Sequence, residues 1–143
     1  MKIRDVMTDS VIRIHPEETV DVAARTLTRC NIGALPVCTE NGKVCGLLTD
    51  RDIVTRCLAS GRSPETTRVA EVMTGQVISA TPDMDTGAAA HLMGRRQVRR
   101  LPVIENGKLC GMVSLGDLAV REMSSPDAAD ALERISSNIS FEN

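Results

Sequence analysis

The sequence predicts an α+β chain of two β-α-β-β-α repeats related by pseudo-two-fold symmetry, with small mixed sheets packed face to face and helices outside. Three observations carry this. First, four motifs occur twice in the same order. V-M-T at 6–8, L-P-V at 35–37, E-N-G-K at 40–43 and G-L-L-T-D-R-D at 46–52 return as V-M-T at 72–74, L-P-V at 101–103, E-N-G-K at 105–108 and G-M-V-S-L-G-D at 111–117. Second, helical apolar spacing and short strand-like runs succeed one another identically in both copies. Third, an Asn-Gly pair stands between two such runs in each copy, which is a hairpin signal.

Each copy opens on a short amphipathic turn, at 3–7 and 69–73, followed by a brief strand near 11–14 or 77–80. A helix comes next, with Pro16, Glu17, Glu18 and Thr19, or Pro82, Asp83, Met84 and Asp85, in its first turn, where proline and acids suit the orphan N–H groups. Val20, Ala23, Ala24 and Leu27, like Ala89, Leu92 and Met93, recur at helical spacing and form a buried face. Strands at 34–38 and 44–49, or 100–104 and 109–114, flank the Asn-Gly turn, expected as type I′. Asp50 or Leu115 then opens a second helix, ending near Gly61 or around Ser124 and Ser125. Met7 to Met73 is an offset of 66 and Asn41 to Asn106 one of 65, so the second copy is a residue shorter near Thr39.

These limits give repeat 1 at 1–61, a linker at 62–68, repeat 2 at 69–125 and a C-terminal helix or flexible tail at 126–143, where Ala129, Leu132 and Ile135 carry a weak helical pattern. One copy alone buries a marginal core. The expectation is therefore a shared core with a cleft between the copies, and a pair that repeats as a homodimer.

The 143 residues include 17 basic and 19 acidic side chains, a formal charge of −2, with no Trp or Tyr and one Phe, Phe141. Neither the electrostatics nor the stacking surfaces for nucleic acid are present, so nucleic acid is not the expected partner. Strong salt-dependent retention on DNA would be the observation to revive it. No apolar run approaches a membrane span and the opening residues lack an apolar signal core, so no membrane association and a cytoplasmic location are expected. Five cysteines without a C-x-x-C pair fit a reducing compartment and not a zinc site.

The chemistry concentrates in G-x-x-[ST]-x-x-D, present as Gly46, Thr49 and Asp52 and again as Gly111, Ser114 and Asp117. A hydroxyl beside exposed N–H groups at a helix start can hold phosphate, and an ionised Asp can accept from both hydroxyls of a ribose. Glycine lets a ligand or a neighbouring backbone approach closely. The plainer reading is that the same residues cap a helix.

On these repeated motifs residues 1–124 resemble a tandem CBS domain pair, or Bateman module, and are similar to small bacterial stand-alone two-CBS proteins of the hypoxic-response type. The resemblance implies a regulatory module without catalysis. It would bind an adenosyl ligand, AMP, ADP or ATP before S-adenosylmethionine or NAD, and act on a regulated protein that the sequence does not identify. Thr49 and Ser114 would touch phosphate; Asp52 and Asp117 would hold ribose. Backbone at Ile14 and His15, at Ile32, Gly33, Ala34, Leu35 and Pro36, at Ile78 to Ala80, and at Val98, Arg99, Arg100, Leu101 and Pro102 would line adenine pockets.

The two sites should be unequal. Arg51 of the first copy is replaced by Gly116, whereas Arg99 and Arg100 replace Gly33 and Ala34 and read either as phosphate ligands or, with Arg95 and Arg96, as a solvated basic surface. A two-residue turn at Asn41-Gly42 sets Cys38 opposite Cys45, either a redox pair or soft-metal site or simply two small buried hydrophobes. Cys110 matches Cys45, which favours packing; Cys30 and Cys57 sit late in helices. Neither His15, near the first helix, nor His91, within the second repeat's helix, has a catalytic partner, and no catalytic triad, P-loop or metal motif is present. The competing class is a ligand-free structural, interaction or redox-responsive stress protein acting through its dimer surface.

Overall fold

A computed structural model describes residues 1–122; the helical pattern expected at 126–143 and the end of the last helix lie outside the described residues. The elements are a 3-10 turn (Ile3–Asp5), α1 (Val20–Cys30), β1 (Ala34–Cys38), β2 (Val44–Thr49), α2 (Asp50–Asp52) running on as a π-helical stretch (Ile53–Leu58), α3 (Val69–Val72), α4 (Thr86–Arg96), β3 (Arg100–Glu105), β4 (Lys108–Ser114) and α5 (Leu115–Glu122). The class is α+β with small antiparallel sheets.

The compact units do not coincide with the sequence repeats. One is Ile12–Val77; the other joins Met1–Val11 to the chain from Ile78 onward. Each repeat thus gives its opening V-M-T segment to the unit built on the other repeat's hairpin. The cause is burial: Val69 and Val72 belong to the core of the first unit, with Ile14, Val20, Ala23, Leu27, Leu35, Val37, Leu48, Ile53 and Cys57. Ile3 and Val6 belong to the core of the other, with Ala80, Ala89, Met93, Leu101, Val103, Val113 and Leu118. Residues within the linker at 62–68 also pack against the first unit. Thr67 is buried, and the carbonyls of Thr67 and Pro64 accept the N–H groups of Val20 and Asp21, which satisfies orphan donors at the start of α1.

In the unit Ile12–Val77, β1 and β2 pair antiparallel from Ala34↔Thr49 to Cys38↔Val44. The expected strand at 11–14 is reduced to one parallel bridge, Ile14↔Val37, and Thr74 bridges Leu47 on the far edge of β2. The other unit repeats this: β3 and β4 pair from Arg100↔Ser114 to Glu105↔Lys108, Ala80 bridges Val103 in parallel, and Thr8 bridges Met112. Single bridges at both edges cover backbone groups that an isolated hairpin would leave open.

Three expectations about the local chain are corrected. The helices begin at Val20 and Thr86 and not at the prolines; the Pro-acid segments form a turn ahead of them, closed by Glu18 N–H to His15 O and Met84 N–H to Thr81 O. The first hairpin turn is not type I′. Gly42 alone has positive φ, 82°, whereas Asn106 and Gly107 have 54° and 80°. The extra residue of the first copy enlarges the turn to Glu40, Asn41 and Gly42, closed by Gly42 N–H to Thr39 O, the three-residue alternative with glycine in the left-handed position. Finally, the register steps between Val37 and Cys38, so Cys38 faces Val44 and Cys45 is the bulged residue. The step between Val103 and Ile104 leaves Cys110 in the equivalent place.

Candidate functional site

Both G-x-x-[ST]-x-x-D motifs close reciprocal caps. Asp52 N–H donates to Thr49 Oγ at 3.1 Å and Thr49 N–H donates to Asp52 Oδ2 at 3.0 Å. Asp117 N–H donates to Ser114 Oγ and Ser114 N–H to Asp117 Oδ2, each at 3.0 Å. This is the capping box, and it fixes each hydroxyl beside its carboxylate without exhausting either. A hydroxyl that accepts one bond keeps its proton to donate to an anionic oxygen, and Oδ1 of each Asp, outside the cap, keeps its capacity to accept from a diol. Capping and ligand binding are therefore compatible uses of the same four residues.

The glycines serve the fold. A Cβ on Gly46 would stand 2.3 Å from the Met73 sulfur, and one on Gly111 would stand 2.7 Å from the Thr8 carbonyl oxygen and 2.9 Å from the Met7 sulfur. What approaches each glycine is the V-M-T segment of the same compact unit.

Each unit gathers its own three predicted segments. The α1 terminus ends with Asn31 in the left-handed region and Ile32 N–H on Leu27 O, a C-cap that turns the chain into Gly33. Gly33 O then accepts Asp50 N–H at 3.1 Å, while Ala34 pairs with Thr49. Ile14 is tied to β1 through Pro36 O and Cys38 N–H. Thus Ile14, His15, Ile32 to Pro36, Thr49 and Asp52 share one end of the hairpin. In the other unit Leu115 N–H donates to Arg99 O at 2.8 Å and Ala80 is tied to Pro102 O and Ile104 N–H, with Arg100 opposite Ser114. Ile78, Ala80, Val98 to Pro102, Ser114 and Asp117 are gathered likewise. Leu35, Pro36, Leu101 and Pro102 are buried, whereas Ile32, Ile78 and Val98 are half-buried and present apolar surface.

The cations are less uniform. Arg51 and Arg99 are exposed and Arg100 half-buried. Arg95 and Arg96 are exposed in the last turn of α4, where positive charge suits the helix dipole. His15 Nδ1 accepts Glu17 N–H at 3.3 Å, and His91 is exposed on α4. Arg56 lies outside the repeated motifs; its Nη1 donates to Val72 O at 3.3 Å and Met73 O at 3.1 Å, and its Nε lies 3.9 Å from Asp52 Oδ1. The signal was there: Asp-x-x-x-Arg follows both motifs, as Asp52–Arg56 and Asp117–Arg121, at the spacing that places two side chains on one helix face. An open cavity of about 400 Å³ lies against Val6, Asp117, Val120 and Arg121.

Burial pushes both the Cys38 and Cys45 thiols up from the ordinary range; for Cys38 the neighbouring Arg13 works against this and Cys45 adds to it. The thiolate needed for redox or metal chemistry is disfavoured there. Among the described residues no group of three or more His, Cys, Asp or Glu is placed to hold a metal ion, and no helix is long and apolar enough to cross a membrane.

Comparison with known proteins places the fold and the family. CBS domain-containing protein YhcV of Bacillus subtilis is 43% identical over 134 residues, 94% of either chain. The crystal structure of Hypoxic Response Protein I with two coordinated zinc ions superposes with a TM-score of 0.78 at 34% identity, covering 86% of this chain and 99% of that one. The CBS domain pair of protein MJ0100, solved in complex with 5-methylthioadenosine and S-adenosyl-L-methionine, gives a TM-score of 0.76 at 28% identity over 83% of this chain and 93% of that one. The CBS domain model matches residues 3–59 and again 69–124, so the chain belongs to the CBS domain family and carries two CBS domains in tandem.

Proposed function

We propose that this protein is a non-catalytic regulatory module that binds an adenosyl ligand, an adenine nucleotide such as AMP, ADP or ATP in preference to S-adenosylmethionine or NAD. The observation that carries the reading is the doubled cap, in which a Thr or Ser hydroxyl and an Asp carboxylate are held together and each retains hydrogen-bonding capacity that a phosphate and a ribose diol would use. The complex of the MJ0100 pair with two adenosyl compounds supports the ligand class. Thr49 and Ser114 take the phosphate side, Asp52 and Asp117 the ribose, and the apolar residues at the same hairpin ends flank the base. A signal then requires that ligand bind two conformations or association states unequally, whether of a homodimer in the cytoplasm or of a complex with a regulated protein.

Isothermal titration calorimetry of nucleotide-free, reduced protein against AMP, ADP, ATP, S-adenosylmethionine and NADH tests this. Asp52→Asn and Asp117→Asn keep an acceptor for the cap, so a loss of about tenfold or more in affinity in either variant, roughly 1.4 kcal/mol, supports the ribose assignment. Silence of the unmodified protein across the panel ends the reading.

One observation favours the interaction reading. Val54 and Leu58, four residues apart on the π-helical stretch, are 56% and 53% exposed, an apolar pair available to a partner or a second copy. A ligand-free protein whose oligomeric state depends on Val54 and Leu58 would be the scaffold; a change of that state with nucleotide would join the two readings.

A further inference from the structure

Asp52 and Arg56 of one unit correspond to Asp117 and Arg121 of the other, and Val72 corresponds to Val6. Sequence therefore treats the two acid-arginine pairs as equivalent, but their surroundings differ. In the unit Ile12–Val77 the guanidinium of Arg56 is already engaged, with Nη1 on the carbonyls of Val72 and Met73 at the end of α3. Those carbonyls end a short helix and need donors. At the corresponding place in the other unit, Arg121, Asp117, Val6 and Val120 border the open cavity of about 400 Å³, within the range of small-molecule sites, roughly 300–1,000 Å³.

Two local differences accompany this. The segment before Val6 begins as a 3-10 turn, Ile3–Asp5, whereas the matching stretch Val69–Val72 is α-helical. The chain after Asp52 is π-helical, whereas α5 is α-helical through Arg121, which changes the offset between carboxylate and guanidinium.

We infer that Arg121 is the phosphate-binding cation of the Ser114–Asp117 site, and that Arg56 is not its counterpart. This rests on the adenosyl reading above and deepens it: the working ligand is a nucleoside phosphate. The carboxylate of Asp117 accepts from the ribose, the planar guanidinium of Arg121 donates two bonds to phosphate oxygens, and the valine methyls border the sugar. A ligand without phosphate gains nothing from Arg121.

The test compares AMP with adenosine by calorimetry on the full chain and on Arg121→Gln, Arg121→Lys and Arg56→Gln. Arg121 is exposed, and thermal unfolding of each variant checks that the fold is kept. Arg121→Gln should weaken AMP about tenfold or more, as for loss of a charge-assisted pair, and leave adenosine within about twofold. Arg121→Lys should restore part of the AMP affinity, and Arg56→Gln should leave the AMP-to-adenosine ratio unchanged. If both ligands bind the unmodified protein and Arg121→Gln leaves their ratio unchanged, or Arg56→Gln alters it as much, the inference is overturned and the adenosyl reading stands. If neither ligand binds the unmodified protein, both fall.

Discussion

The Met73 side chain lies across Gly46 so closely that a Cβ on the glycine would stand 2.3 Å from its sulfur. The two residues belong to different sequence repeats and to one compact unit. The glycine of the G-x-x-T-x-x-D motif is thus the seat of the exchanged V-M-T segment.

Gly46→Ala and Gly111→Ala should both destabilise, by about 1–3 kcal/mol, as overpacked sites do. Gly111→Ala should cost more, since its new methyl meets the Thr8 carbonyl oxygen and backbone yields less than a methionine side chain. Urea unfolding of the single and double variants checks this. Met73→Ala should relieve much of the Gly46→Ala penalty, whereas Met7→Ala should leave most of the Gly111→Ala penalty in place.

The two hairpin turns should respond differently to one substitution. Asn106 has a φ of 54°, but Asn41 is not in the left-handed region. Asn106→Ala should cost about 1 kcal/mol, the price of placing an ordinary side chain there, and Asn41→Ala close to nothing. Equal losses in denaturant midpoint would contradict the turn assignments.

Thr49→Ala removes the hydroxyl that caps Asp52 N–H and should cost about 1 kcal/mol of stability as well as nucleotide affinity. Thr49→Ser should preserve both. An affinity loss in Thr49→Ala without any change in unfolding midpoint would mean that the cap contributes nothing.

Glu71 carries an acid-sensitive contribution. The N–H of Arg68 donates to its Oε2 at 2.8 Å, and this bond, helped by the nearby charge of Arg62, holds its carboxyl below the ordinary value. A carboxyl lowered in the folded state adds stability that is present above its unfolded value, about 4.3, and is lost as pH falls through the folded one. Glu71→Gln should flatten the acid limb of the stability curve and leave its slope near neutrality unchanged. An unaltered acid limb would show that the bond is not maintained in solution.

The sequence by itself determined the two repeats, the hairpins, the helix faces and the Thr49–Asp52 and Ser114–Asp117 pairs, because these depend on local periodicity and on residues three or four apart. It also contained the one-residue difference near Thr39, though not its result, since turn geometry depends on which φ values the flanking strands accept; nor did it mark the bulge, common to both hairpins, that sets Cys38 against Val44 and Ile104 against Leu109. Tertiary structure alone decided the exchange of the V-M-T segments, since Val69 and Val72, or Ile3 and Val6, carry no label saying which hairpin will bury them. It likewise decided the fate of the two arginines. Arg56 and Arg121 occupy the same place in the repeat, yet one is held by carbonyls brought from a distant segment and the other borders a cavity. Hydrogen-bond partners supplied by a segment distant in sequence are invisible to local pattern, so two similar sequences come to stand in unlike surroundings.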